Sequence, residues 1–129
     1  MPSPGESRPH ALTVLICTHN RADLLERVLA SLNTATRPAL PVRILVAANA
    51  CTDQTVARMR DYRAMQAAQG GIELDVLEVP TPGKSHALNA AIPVIQTELI
   101  AFVDDDHRVD TNYLVSIARA VEAWPDAGL

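Results

Sequence analysis

The sequence predicts an α/β fold built on a mostly parallel sheet, and three observations carry that expectation. Four short apolar runs rich in branched residues, at 12–17, 42–47, 72–79 and 99–103, alternate with stretches whose apolar residues recur at helical spacing. Strong breakers stand between them: Pro38, Gly70-Gly71 and Pro80-Thr81-Pro82-Gly83. Polar loops, Thr18-His19-Asn20-Arg21, 48–52 and Asp104-Asp105-Asp106-His107, follow three of the runs. Strand and helix alternating in this way call for right-handed crossovers that place helices on both faces of the sheet. The expected strand order is 3-2-1-4, which brings the exits of the first and fourth strands to one crevice at the topological switch point.

Residues 1–10 hold Pro, Ser, Gly and charge without an apolar centre, and read as a flexible tail rather than a signal peptide. Leu12 to Cys17 is the first buried strand. Asn20 is the expected N-cap of the first helix, with Asp23 in its first turn and Leu24, Leu25, Val28, Leu29 and Leu32 facing inward. Val42 to Ala47 is the second strand, and the second helix, capped by Thr52 or Asp53, carries Val56, Met59 and Tyr62 inward and stops at Gly70-Gly71. Ile72 to Val79 alternates apolar and acidic residues, as a half-exposed edge strand does. A short helix from Ser85 places Leu88, Ile92 and Ile95 inward until Pro93 kinks or ends it. Leu99 to Val103 reads as a strand buried on both faces, and 110–123 as a last helix with Leu114, Ile117 and Val121 inward.

At 129 residues the chain is one domain, and 48% hydrophobic with 20% charged residues is globular composition. A net charge of -4 and no basic run exclude the electrostatic footprint of a nucleic-acid binder. No segment approaches the roughly 18 apolar residues of a membrane span. Cys17 and Cys51 form neither a metal spacing nor a disulfide framework and read as thiols of a reducing, cytoplasmic compartment. Only Tyr62, Phe102, Tyr113 and Trp124 offer aromatic surface, and Trp124 reads as a packing residue.

Asp104, Asp105 and Asp106 stand where the fourth strand ends. Three adjacent carboxylates repel one another unless a cation neutralises them, and Mn2+ or Mg2+ prefers oxygen ligands. The competing reading is a solvated turn that stops the strand and leads into the next helix. A phosphatase-type Asp nucleophile would need its acids after the first strand, where this chain has Thr18 and His19.

Four motifs in order, Thr18-His19-Asn20-Arg21, 48–55, Gly83-Lys84-Ser85-His86-Ala87-Leu88-Asn89-Ala90 and Phe102-Val103-Asp104-Asp105-Asp106, resemble the family 2 glycosyltransferases of GT-A fold. The resemblance covers residues 11–129 and implies the N-terminal portion of a Rossmann-like GT-A domain, truncated at Leu129. It implies that Thr18, His19, Asn20 and Arg21 line the pocket for base and ribose, that Asn49 and Asp53 hold the base, and that Lys84 meets the donor diphosphate. It places Asp104 and Asp105 at the nucleotide sugar. Asp104 and Asp106, the outer positions of a DxD motif, would hold Mn2+ or Mg2+. Ala48 stands where the family usually has a base-binding Asp. The implied reaction is metal-dependent, inverting transfer from a nucleoside-diphosphate sugar, a UDP-sugar foremost, to an acceptor hydroxyl, with the general base beyond Leu129. The alternative is a non-catalytic nucleotide- and metal-binding fragment. His86 reads as a surface residue, and His107 as a candidate addition to the metal site beside Arg108. Self-association through an uncovered sheet edge is expected.

Overall fold

The computed structural model describes residues 11–123. The tail at 1–10 and Trp124 lie outside them. Strands β1 (Leu12–Thr18), β2 (Val42–Asn49), β3 (Glu73–Val79) and β4 (Leu99–Phe102) form one sheet, with helices α1 (Ala22–Thr34), α2 (Thr55–Gln69), α3 (Lys84–Ala91) and α4 (Tyr113–Ala123) between and after them. The order is β3-β2-β1-β4 and every pairing is parallel, as expected. Because β1 is central, six of its seven residues are buried. The register pairs Thr18 with Ala48 and Leu15 with Phe102, so the exits of β1, β2 and β4 open at the same end.

The two faces of the sheet are covered differently. Leu12, Val14, Ile16, Ile44, Val46 and Leu74 share one core with Leu25, Val28, Leu29 and Leu32 of α1, Met59 of α2, and Leu114 and Val121 of α4. The opposite face carries Leu15, Leu45 and Ala47, which meet Ala87 and Ala91 of α3 in a smaller cluster. Beside that cluster a groove of about 410 Å³ runs over Arg43, Leu45 and Asp75 to Ile95.

Several local expectations are corrected. Leu24 is 36% exposed. The inward stripe of α1 follows Leu25, Val28, Leu29 and Leu32, and Leu24 falls on its flank. Arg21, not Asn20, occupies the N-cap and makes no side-chain cap bond; Asn20 itself adopts a left-handed φ of 52°. Helix α2 begins later than expected, with Gln54 at its N-cap. Asp53 acts from one position further out, where its carboxylate accepts the Thr55 N–H at 2.8 Å and the Thr55 hydroxyl at 2.6 Å. These bonds, the hydroxyl's foremost, hold the Asp53 carboxyl below the ordinary carboxylate range.

The glycine stop behaves as expected: Gly70 takes φ 72° at the end of α2. Helix α3 ends at Ala91, and Pro93 sits in a single 3-10 turn, Ile92–Val94. Its inward face is made by Ala87 and Ala91 rather than by Ile92, which is exposed. In β4 the expectation of burial on both faces fails at Phe102, which is 60% exposed. Phe102 lies on the thinly covered face, at the edge strand, where it shares a shallow cavity with Lys84 and Leu88 of α3 but stays mostly uncovered. Helix α4 starts at Tyr113, where Asp110 accepts the N–H groups of Asn112 and Tyr113.

Candidate functional site: a cleft at the ends of β1, β2 and β4

At the carboxyl ends of the strands a cleft of about 380 Å³ collects most of the residues singled out in the sequence. From β1 and its exit come Cys17, Thr18, His19 and Arg21; from β2 comes Asn49; from the start of α3 comes Lys84; and from the turn after β4 come Asp104, Asp105 and Asp106. Asn20 and Asp53 do not line it. They belong to the clasp between the first two loops, where the Asn20 amide oxygen accepts the N–H groups of Thr52 at 2.9 Å and Asp53 at 3.3 Å. The Asn20 amide nitrogen donates to the Thr52 hydroxyl at 3.1 Å.

The three carboxylates divide by burial. Asp105 is 9% exposed and turns inward, accepting the Thr18 hydroxyl at 3.0 Å and Arg21 at 3.4 Å. It therefore ties the acidic turn to the exit of β1. Asp104 and Asp106 stay exposed on either side of it. The turn closes with a hydrogen bond from the His107 N–H to the Asp104 carbonyl. Lys84 reaches 3.7 Å from Asp104 across the cleft, and both side chains remain largely in solvent. An exposed pair at that distance contributes little stability, and both groups are accessible to a ligand.

His19 and Asn49 link the loops. The His19 Nδ1 lies 2.8 Å from the Asn49 carbonyl oxygen and donates to it, which fixes the ring between the two loops. The Asn49 side chain is buried; its nitrogen donates to the Thr81 carbonyl at 2.7 Å and its oxygen accepts the Gly83 N–H at 2.9 Å. His86 is exposed, as expected, and His107 is exposed and does not line the cleft.

Cys17, expected only as a free thiol, also lines the cleft. The signal was available: it is the last position of β1 before Thr18 on the side opposite Ile16, so it points to the thinly covered face near the crevice. Burial raises its thiol above the ordinary value, against the nearby Lys84 and together with Asp105. The thiol is accordingly neutral near pH 7. Both cysteines are free.

Chemically, the cleft sets three carboxylates against the two cations Arg21 and Lys84. An anionic nucleotide alone would meet excess negative charge, whereas a nucleotide carrying a divalent ion would not. Among the described residues no group of three or more His, Cys, Asp or Glu side chains is placed to cage a metal by itself. One or two exposed carboxylates completed by phosphate oxygens is the arrangement that Mg2+ favours, so the donor set fits a hard ion shared with a diphosphate.

Solved structures resemble this arrangement of strands. The mannosyltransferase PcManGT from Pyrobaculum calidifontis, in complex with GDP-Man and Mn2+, matches with a TM-score of 0.76 at 25% identity, over 94% of this chain and 34% of its own. S. aureus TarS in complex with UDP-GlcNAc matches with a TM-score of 0.71 at 25% identity, over 88% of this chain and 31% of its own. Glucosyl-3-phosphoglycerate synthase of M. tuberculosis shares the fold at 19% identity and a TM-score of 0.59, over 83% of this chain and 39% of its own. The chain thus spans about a third of the length of these proteins. No curated protein matches the sequence significantly. The family model for glycosyl transferase family 2 matches residues 13–128, from the first strand through the last helix and across every loop of the cleft. On that match, joined to a parallel 3-2-1-4 sheet of the GT-A kind, the chain belongs to glycosyl transferase family 2.

Proposed function

We propose that residues 11–123 form the donor side of a metal-dependent, inverting glycosyltransferase, binding a nucleoside-diphosphate sugar whose sugar passes to an acceptor hydroxyl. The observation that carries this reading is the convergence of Lys84, Asp104 and Asp106, all exposed, on the cleft also lined by Thr18, His19 and Arg21. Similar proteins that bind GDP-Man with Mn2+ or UDP-GlcNAc support a nucleotide-sugar donor. Asp104 and Asp106 would hold Mn2+ or Mg2+, and the ion would stabilise the charge that builds on the departing diphosphate. Lys84 adds a second positive charge beside the same oxygens. Thr18, His19 and Arg21 face the nucleoside, while Asn20 and Asp53 shape that wall through the loop clasp.

In the transfer, the bond from the anomeric carbon to the diphosphate oxygen breaks as the acceptor oxygen bonds from the opposite face. The acceptor proton passes to a carboxylate base outside these residues. A unit that binds nucleotide and metal without itself transferring sugar is the second reading, since the carboxylates that line the cleft all belong to the acidic turn.

Calorimetric titration with UDP and with GDP, each with and without Mn2+, tests the donor site. Metal-dependent binding that vanishes in a folded Asp106→Ala variant is the expected result. A folded protein indifferent to both nucleotides in either condition returns the acidic turn to a solvated strand end.

A further inference from the structure

Asn49 follows from the family resemblance as a contact to the base, yet its amide is already committed. The side-chain oxygen accepts the Gly83 N–H at 2.9 Å, and the nitrogen donates to the Thr81 carbonyl at 2.7 Å with the Val79 carbonyl at 3.5 Å. The residue is 8% exposed. What it holds is the turn that starts α3. Gly83 adopts φ 120° and ψ 136°, a conformation that side-chain-bearing residues rarely take, and it is the N-cap of α3 without any side-chain cap bond of its own. The next residue is Lys84, whose ammonium faces Asp104. The direction in which Lys84 leaves the backbone is therefore set by the residue that Asn49 clamps. On its other side, the Asn49 carbonyl receives His19.

We propose that Asn49 is a positioning residue for diphosphate capture: its buried amide fixes the turn at 81–83 so that Lys84 stands opposite Asp104. This rests on the donor-site reading above. It assigns Asn49 to the phosphates through Lys84 and removes it from the base.

The two assignments separate by ligand. Asn49→Ala, Lys84→Ala and the double variant are titrated with UDP plus Mn2+ and with uridine alone, and in parallel with GDP and guanosine. Asn49→Ala is expected to weaken diphosphate binding about ten-fold, as loss of a charged phosphate contact does, and to leave nucleoside binding within about two-fold. The double variant is expected to bind the diphosphate no more weakly than Lys84→Ala, because both changes remove one contact. Equal weakening of nucleoside and diphosphate, or additive losses in the double variant, would overturn the proposal. A ligand-free measurement keeps it separable from the donor reading: hydrogen exchange at the Gly83 amide should speed up in Asn49→Ala. Unchanged exchange there refutes the clamp whatever the titrations give. A wild-type protein that binds neither nucleotide defeats the donor reading while the exchange still decides the clamp.

Discussion

On one side of the sheet, Val14, Ile16, Ile44 and Val46 lie under three helices whose Leu, Val and Met side chains close a single core. On the other, Leu15, Leu45 and Ala47 lie under one short helix that offers Ala87 and Ala91. The contrast separates two tasks. Bulky side chains on the thick side bury apolar area and supply stability. Small ones on the thin side let α3 approach the strands closely, which brings its first residue, Lys84, to the strand ends and within 3.7 Å of Asp104. The thin side contributes little to the core and much to the cleft.

Substitutions can break this division. The largest stability loss is expected from Leu29→Ala, fully buried on the thick side, at about 3 kcal/mol in urea unfolding with nucleotide affinity of the folded fraction unchanged. A loss below about 1 kcal/mol would remove the contrast. Ala87→Leu on the thin side is expected to cost about 2 kcal/mol by overpacking, and also to weaken nucleoside-diphosphate binding as α3 is pushed off the strands. Intact binding in that variant would show that the close approach does not place Lys84. Phe102→Lys is expected to change stability by no more than about 0.5 kcal/mol, since the ring is mostly in solvent, and to reduce concentration-dependent association in sedimentation.

The smallest effect belongs to Asp53 at the margin of the thick side. Its carboxyl is held below the ordinary range by Thr55, so the folded state binds its proton less readily than the unfolded one. The contribution is therefore present above the unfolded carboxylate pKa and is lost as pH falls through the lower folded value. In Asp53→Asn this acid-side dependence at the start of α2 should disappear, as followed by Thr55 amide chemical shifts through an acid titration.

The thick side was legible in the sequence because its side chains are bulky and periodic. Strand order, the stripe from Leu25 to Leu32 and the stop at Gly70 all follow from pattern and breaker residues. The thin side was legible only in part: Leu88 and Ile95 pack there as expected, but small residues leave no amphipathic signature, so Ala87 and Ala91 form the contact that Ile92 was expected to make, and Phe102, apolar by type, faces solvent. In the cleft, the gathering of the Thr18 loop with Asp104 and Asp106 followed from topology alone. The different fate of Asp105 did not, since three identical neighbours cannot reveal which one turns inward to Thr18. Asn20 and Asp53 were expected at the ligand or at helix caps on residue type; their bonds to another loop, or to a residue two positions on, depend on a φ of 52° and on loop geometry that type does not encode.

The bond from Thr18 to Asp105 joins residues 87 positions apart, and β1 lies between β2 and β4. Contacts of such range form late, after the entropy of closing the intervening loop has been met. During refolding, β1, β2 and β3 with α1 and α2 can assemble from nearer partners, while the cleft has no acidic wall until β4 docks on β1. Recovery of ligand binding should therefore lag recovery of helical signal, and the lag would time the arrival of the fourth strand.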